Sequence, residues 1–253
     1  MSAYDKILSA RSKGRPTGTA YIEKIFDSFI ELHGDRRFGD DPAVIGGLAF
    51  LDGIPVTVIA IEKGSDTKER VRRNFGMPNP EGYRKALRLM KQAEKFHRPV
   101  VCLVDTSGAY CGLGAEERGQ GQAIAENLIE LSSLRTPVVS ILVGEGGSGG
   151  ALALALADQV WILENAVYSV ISPEGCASIL WKDPKRVKDA AECLRLTAQD
   201  MQELGVVEHV IPEEDFDAAF TEIKTRLSEE LPELIATPAD ELLHLRYQRF
   251  RKF

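Results

Sequence analysis

The sequence predicts an α/β fold, and three features carry that reading. Short apolar runs alternate with segments of helical periodicity along most of the chain. The apolar run 138–143 leads into Gly144-Glu145-Gly146-Gly147-Ser148-Gly149-Gly150 and then an alanine/leucine stretch, which reads as buried strand, glycine turn, helix start. A second glycine-bearing loop, 105–114, ends the preceding apolar run, 100–104. Two such loops then face the same edge of a parallel sheet.

The elements follow in order. Residues 1–18 are polar and basic, with Gly14, Pro16 and Gly18, and are expected to form an irregular arm ahead of one domain, 19–253. Thr19 is placed to cap a helix whose apolar face is Ile22, Ile25, Phe26, Phe29 and Ile30 and which stops at Gly34. Runs 44–51 and 54–61 are strands joined by Asp52-Gly53, a strong hairpin signal. Residues 62–82 are polar, with Lys63, Lys68, Arg70, Arg72 and Arg73 among Gly64, Gly76, Pro78 and Pro80. A helix over 80–96, a strand over 100–104, a helix over 117–134 and a strand over 138–143 come next. After the glycine loop a short helix runs to 157. Runs 160–163 and 167–171 are short strands, and the remainder is helical except for 206–211.

Composition limits the function. The chain has 253 residues, is 44% hydrophobic and carries a net charge of -7, which argues against nucleic-acid binding. No apolar run reaches the roughly 18 residues of a membrane span, and the start lacks a signal-peptide core, so a cytoplasmic location is expected. Cys102, Cys111, Cys176 and Cys193 form no C-x-x-C pair and have no His at ligand spacing, so they read as scattered thiols in a reducing compartment without zinc.

The loop 144–150 suits negative charge, because a helix N-terminus presents unpaired N–H groups and glycine lets a ligand approach the main chain. Several patterns fit it. Gly144, Gly146 and Gly149 match G-x-G-x-x-G, with Glu164 at the distance of a ribose-binding acid. Gly146 to Gly150 match the G-x-S-x-G nucleophile elbow. An oxyanion hole is a third option, and a close-packing turn without ligand a fourth. Only nine residues, Gly149 to Ala157, separate the turn from Asp158, short for a dinucleotide helix. A serine triad would need His209 or His244, and His209 reads better as a solvent-facing strand residue.

Longer motifs narrow these choices. His33-Gly34-Asp35-Arg36, Arg73-Asn74-Phe75-Gly76-Met77-Pro78, Pro80-Glu81-Gly82-Tyr83-Arg84-Lys85-Ala86, Asp105-Thr106-Ser107-Gly108-Ala109-Tyr110, Gly114-Ala115-Glu116-Glu117-Arg118-Gly119-Gln120, the stretch 144–152 and Tyr168-Ser169-Val170-Ile171-Ser172-Pro173-Glu174-Gly175 stand in the order of one family. The chain resembles the carboxyltransferase alpha subunits of bacterial multi-subunit acetyl-CoA carboxylases, from about Arg11 to the last helices.

That resemblance implies a crotonase-like (ClpP/crotonase) ββα spiral with a helical C-terminal region. It implies transfer of a carboxyl group from carboxybiotin, held on the biotin carboxyl carrier protein that biotin carboxylase charges, to acetyl-CoA, giving malonyl-CoA for fatty acid synthesis. The implied partner is a beta subunit of the same fold, carrying a zinc ribbon, in an α2β2 assembly with the site between unlike subunits; no metal is expected in this chain. By analogy with crotonase-type enzymes, the catalytic groups are the backbone N–H of Gly108 or Ala109 and of Ser148 or Gly149, which stabilise an oxyanion. Gly146, Gly147 and Gly150 are expected to line the substrate site, and Tyr110 to pack on biotin or fill its own loop. Arg73, Arg84 and Lys85, with Arg70 and Arg72, are expected to attract CoA phosphates or the acidic carrier, against the alternative of a solvated basic loop. Glu174 reads as a structural helix-start residue.

The chain departs from the family pattern at Ser107 and Cys111, where Pro is usual, which implies a less rigid first loop. The basic and aromatic tail 244–253 reads as a helix docking on a partner subunit with its cations pointing outward. Two other classes stay open. One is a self-sufficient crotonase-type hydratase or isomerase, which needs acids in the pocket. The other is a non-catalytic assembly subunit, whose loop amides would be plugged by its own groups.

Overall fold

The first 18 residues are not an irregular arm. The structure, a computed structural model that describes residues 1–253, opens with helix α1 (Ala3–Ala10). Ser2 and Asp5 close a reciprocal capping box at its start, satisfying two donors that the first turn leaves open. Ala3, Ile7 and Ala10 pack on Val167, Ala191 and Leu196, so burial holds a helix too short to persist alone.

Helix α2 (Gly18–Ile25) ends earlier than its apolar pattern suggests. Thr19 is not its cap residue; the Thr19 N–H and hydroxyl donate to Glu62 Oε2, each at 2.7 Å. The apolar residues expected on its last turns lie beyond it. Phe29 and Ile30 belong to an edge strand, β1 (Asp27–Glu31), antiparallel to β2 (Val44–Leu51). Ser28 sits at φ 54, so the chain turns out of helical geometry and finds a ladder partner instead. β2 and β3 (Ile54–Ile61) form the expected hairpin, with Asp52 at φ 46 and Gly53 at φ 86 as a two-residue turn demands.

After the short helix α3 (Thr67–Arg72), helix α4 (Pro80–Lys95) starts with Pro in its first turn. It buries Ala86, Leu89, Met90 and Ala93 in the core with the sheet, and Tyr83 against Ala123 and Ala153. Next come β4 (Val100–Thr106), α5 (Leu113–Glu117) and α6 (Gln120–Ser132). Gly119, at φ 82, stands just before α6, which therefore starts three residues later than the helix expected over 117–134. The chain continues through β5 (Val138–Gly147), α7 (Ser148–Ala155), β6 (Gln159–Leu163), β7 (Val167–Ser169), α8 (Pro173–Trp181), α9 (Val187–Cys193), α10 (Ala198–Glu203), β8 (His209–Ile211), α11 (Phe216–Ala236) and α12 (Ala239–Phe250).

The strands form one sheet in the order β1-β2-β3-β4-β5-β6-β8, parallel from β3 onward, with β7 pairing the end of β5. β5 pairs with β4, β6 and β7, and residues 138–145 are all buried. Val104 pairs Leu142 but Thr106 pairs Gly146, so four steps along β5 match two along β4 and the end of β5 peels toward β7. This brings the ends of β3, β4 and β5 to one edge.

The tail also differs from expectation. α12 turns two of its cations inward. Arg246, 2% exposed, donates to the carbonyls of Leu131, Leu134 and Thr136 and pairs with Asp158 at 2.7 Å. Arg249 bonds Glu208 and the Val206 carbonyl. These unsatisfied carbonyls at the ends of α6 and β5 recruit the guanidinium that the sequence pattern assigned to solvent. No helix is long and apolar enough to cross a membrane.

Candidate functional site

The glycine stretch is strand as far as Gly147; the break falls at Ser148, whose φ is 53. α7 starts there, and its cap position, Gly147, supplies no side-chain acceptor, so the first-turn N–H groups are not covered by a capping side chain. Ser148 is exposed and Gly149 half-buried. The other glycines meet protein. A Cβ on Gly144 would run into the Asp105 carboxylate, on Gly146 into the Tyr168 ring, and on Gly147 into the Ser107 carbonyl. On Gly150 it would stand 2.5 Å from the Ala109 nitrogen and 2.8 Å from the Tyr83 hydroxyl. Gly146, Gly147 and Gly150, expected to line the substrate, are thus the seats on which loop 107–110 and β7 rest.

The first loop is tied by its own side chain. Thr106 Oγ1 accepts the Gly108 N–H at 3.0 Å and donates to the Gly108 carbonyl at 2.8 Å. Gly108 is therefore an occupied donor, and the Ala109 N–H, which has no protein partner, is the available one. It lies against Gly150 in the first turn of α7. Of the four predicted donors, Ala109 thus lies one residue beyond the Ser148–Gly149 turn, against Gly150. Tyr110 folds onto Gly112 and its carbonyl accepts from Gln120, so it fills its own loop.

An apolar cavity of about 390 Å³ opens beside Ser148 and Gly149, walled by Leu152, Tyr168, Val170 and Met201. No carboxylate, amine or guanidinium lines it. A larger groove, about 550 Å³, lies near the opposite ends of the strands, between the β2–β3 turn and α11. It is lined by paired surface charges such as Lys24 with Asp217 and Lys224 with Asp52, and has no arrangement that could do chemistry.

The cations expected to meet phosphate are committed elsewhere. Lys85 is fully buried, donating to Asp40 at 2.6 Å and to the Asp41 carbonyl at 2.9 Å. Arg84 pairs with Asp35 at 2.7 Å and donates to the Arg118 carbonyl. Arg73 pairs with Glu69 and donates to the Pro42 carbonyl. Arg72 also pairs with Glu69. Arg84 and Lys85, on α4, neutralise acids of the loop 35–42, while Arg72 and Arg73 serve Glu69. Asp35 and Asp40 are held at about 2: burial opposes this, but main-chain N–H donors, Arg84 and Lys85 outweigh it. Arg70 alone among them has no carboxylate partner; its Nε donates to the Gly64 carbonyl.

A buried charge cluster that the motifs did not announce joins the loop roots. Lys63 Nζ lies 2.6 Å from Asp105 Oδ1 and 3.0 Å from Glu145 Oε2. Arg11 reaches Glu145 at 2.8 Å and Glu174 at 2.7 Å, which accounts for Glu174 as a structural residue. Burial opposes charge on Lys63, yet the two carboxylates raise its pKa; burial likewise opposes charge on Glu145, which Lys63 and Arg11 nonetheless hold low. The available signal was a charged residue at the end of each of three apolar runs. His209 is half-buried, bonded to Glu230 at 2.8 Å and edge-on to Trp161, so no triad with Ser148 forms.

Comparison with known proteins gives one consistent answer. The family model described as "Acetyl co-enzyme A carboxylase carboxyltransferase-like" matches residues 1–253. An acetyl-coenzyme A carboxylase carboxyl transferase subunit alpha from Ruminiclostridium cellulolyticum is 62% identical over 254 residues, covering 100% of this chain and 98% of that one. A protein from Natranaerobius thermophilus named for subunits beta/alpha is 57% identical over 257 residues, covering 99% of this chain and 42% of its own length. Among solved structures, a Pseudomonas malonate decarboxylase hetero-tetramer in complex with coenzyme A superposes with TM-score 0.72 at 22% identity, over 90% of this chain and 91% of that one. Transcarboxylase 12S with methylmalonyl-coenzyme A bound gives TM-score 0.70 at 21% identity, over 83% and 40%. The shared fold is the crotonase-like one, with a helical C-terminal region added.

Proposed function

The chain belongs to the acetyl-coenzyme A carboxylase carboxyltransferase family, and from that premise we propose that it is the alpha half of a biotin-dependent carboxyltransferase that makes malonyl-CoA from acetyl-CoA. Residues 19–253 act as one carboxyltransferase domain, with the first 18 residues strapped across its site edge. The observation that carries the reading is the meeting of the Ala109 N–H with the first turn of α7 at Gly150. The same turn, through Ser148 and Gly149, lines an apolar cavity.

Carboxybiotin, carried by the biotin carboxyl carrier protein, supplies the carboxyl group. The cavity walls, apolar and about 390 Å³, fit a flat, largely apolar ring system with one polar oxygen; Ser148 and Gly149 line the cavity, and the Ala109 nitrogen lies behind them against Gly150. These amides donate to the ureido oxygen, which gains negative charge as the carboxyl group leaves. Losing one such donor costs on the order of 3 kcal/mol of transition-state stabilisation. The proton leaving the acetyl methyl group ends on biotin, so no side-chain acid is needed from this subunit.

The absence of acids from the cavity lining favours this over a self-sufficient hydratase or isomerase. The nearest buried carboxylates, Asp105 and Glu145, are paired with Lys63 and Arg11, and neither lines the cavity. The open Ala109 amide favours it over an assembly-only role. The fused beta/alpha relative supports a beta partner, in an α2β2 complex that completes the CoA side.

The test is malonyl-CoA-dependent carboxylation of free biotin, by this chain alone and with its beta partner. Activity only in the mixture is expected. Activity of the chain alone would show a complete site here and overturn the shared-site reading.

A further inference from the structure

Three adjacent parallel strands end at the site edge, and each contributes one charge to the same buried cluster. Lys63 lies two residues past β3, Asp105 is the penultimate residue of β4, and Glu145 stands near the end of β5. Asp105 is immediately upstream of Thr106–Ala109, and Glu145 immediately upstream of Gly146–Ser148. The Asp105 carboxylate also accepts the Glu145 N–H at 2.8 Å, through the space Gly144 leaves. The Lys63 stem is fixed from its other side: a Cβ on Gly76 would come within 2.5 Å of Lys63 Cγ. Gly76 completes a run of left-handed residues with Asn74 and Phe75, at φ 49, 55 and 72. Non-glycine residues in that region are strained, and such strain persists only where the surroundings impose it.

We infer that Lys63 is a positioning residue for the carboxyl transfer: its ammonium joins the roots of the two loops and sets the distance between the Ala109 amide and the first turn of α7. The inference rests on the oxyanion reading above. Charge balance alone does not require this arrangement, since Arg11 already serves Glu145 and a neutral residue at 105 would need no counterion. What Lys63 adds is a link between loops from different strands, short on both sides. Because donors to an oxyanion lose most of their effect when displaced by an ångström, the separation of the loops is a rate-determining dimension.

The experiment uses the complex with the beta partner and follows malonyl-CoA-dependent carboxylation of free biotin. Lys63→Met leaves two buried carboxylates without their shared cation and can fail to fold, so the decisive variant is Lys63→Met with Asp105→Asn and Glu145→Gln. That set removes the bridge and the charges together and keeps an acceptor for the Glu145 N–H. Expected is a kcat lowered about 10- to 100-fold, with KM for malonyl-CoA and for biotin within about twofold and unchanged thermal stability. A triple variant with wild-type kcat would reduce Lys63 to a counterion and overturn the inference, as would a rise in KM at unchanged kcat. Ala109→Pro, which deletes the amide, separates the two levels of argument. Wild-type kcat there sinks the oxyanion reading and this inference with it. A loss there beside a fully active triple variant sinks the positioning role alone.

Discussion

The carboxylate of Asp105 fills the space that a side chain at position 144 would need, and from there its Oδ1 accepts the Glu145 N–H at 2.8 Å. That carboxylate does not swing aside freely, since it is buried and Lys63 holds it at 2.6 Å. Gly144→Ala therefore forces β5 away from β4 and is expected to destabilise the chain by about 1–3 kcal/mol, the range for an overpacked core. Denaturant unfolding measures it. A change under about 0.5 kcal/mol would show that β5 yields easily and that Gly144 has another reason.

Ser148 combines an exposed side chain with a strained backbone, at φ 53. A nucleophile elbow has the same strand–turn–helix form, so geometry alone does not dismiss the serine. Partner chemistry does: His209 is occupied by Glu230 and Trp161. Ser148→Ala is expected to retain most activity, because the backbone N–H is what the site uses. A thousandfold loss in kcat would restore the nucleophile.

Much of this was legible in the sequence. The Asp52-Gly53 hairpin is found over the expected residues, because a two-residue turn with two left-handed positions has few alternatives. β4, β5 and α4 were equally plain. What failed did so where tertiary partners override local pattern. Phe29 and Ile30 fit a helix face but lie in an edge strand that only β2 explains. The glycines of 144–147 read as turn and are strand, because their missing side chains seat Asp105, Tyr168 and Ser107 rather than bend the chain. Lys85 and Arg246 read as solvent-facing cations and are buried, each paid for by an acid remote in sequence or by carbonyls at element ends. The Ser2-x-x-Asp5 capping box of α1 was visible in principle, outweighed by the polar composition around it.

Tyr83 carries a fully buried hydroxyl with no hydrogen-bond partner, set against Gly150 beneath the two loops. An unmade bond of this kind costs about 1–3 kcal/mol, so removing the group removes the cost. Tyr83→Phe is expected to be neutral or stabilising by up to about 1 kcal/mol, with kcat little changed. A drop in stability above about 1 kcal/mol would mean that the hydroxyl holds a bound water.

Arg246 ties α12 to the ends of α6 and the start of β5 through three carbonyls and Asp158. Arg246→Met leaves the Asp158 carboxylate buried without its cation, for which a loss of about 3–5 kcal/mol is typical. Asp158 also accepts the Val138 N–H, so Arg246→Met/Asp158→Asn is expected to recover part of that loss. A double variant no better than the single would show that the carbonyl contacts, rather than the ion pair, carry the effect.

Acid stability should follow the loop 35–41, where neighbouring carboxyls move in opposite directions. Burial pushes Asp41 up to about 6, while hydrogen bonds hold Asp35 and Asp40 at about 2 against burial. Unfolded aspartates titrate near 3.9. The folded state thus binds the Asp41 proton more tightly than the unfolded chain does. The penalty from Asp41 is complete above about pH 6 and fades as pH falls toward 4, which stabilises the fold on mild acidification. Asp35 and Asp40 act with the opposite sign. Their contribution is present above about pH 4 and is lost as pH falls toward 2. From these three groups stability rises from pH 7 to a maximum between about 4 and 5 and then collapses. Carboxyl NMR titration of the intact chain resolves them individually. An Asp41 signal titrating at or below 4 would show that its two main-chain donors, Ala43 and Asn79, overcome burial, and the rise on mild acidification would then be absent.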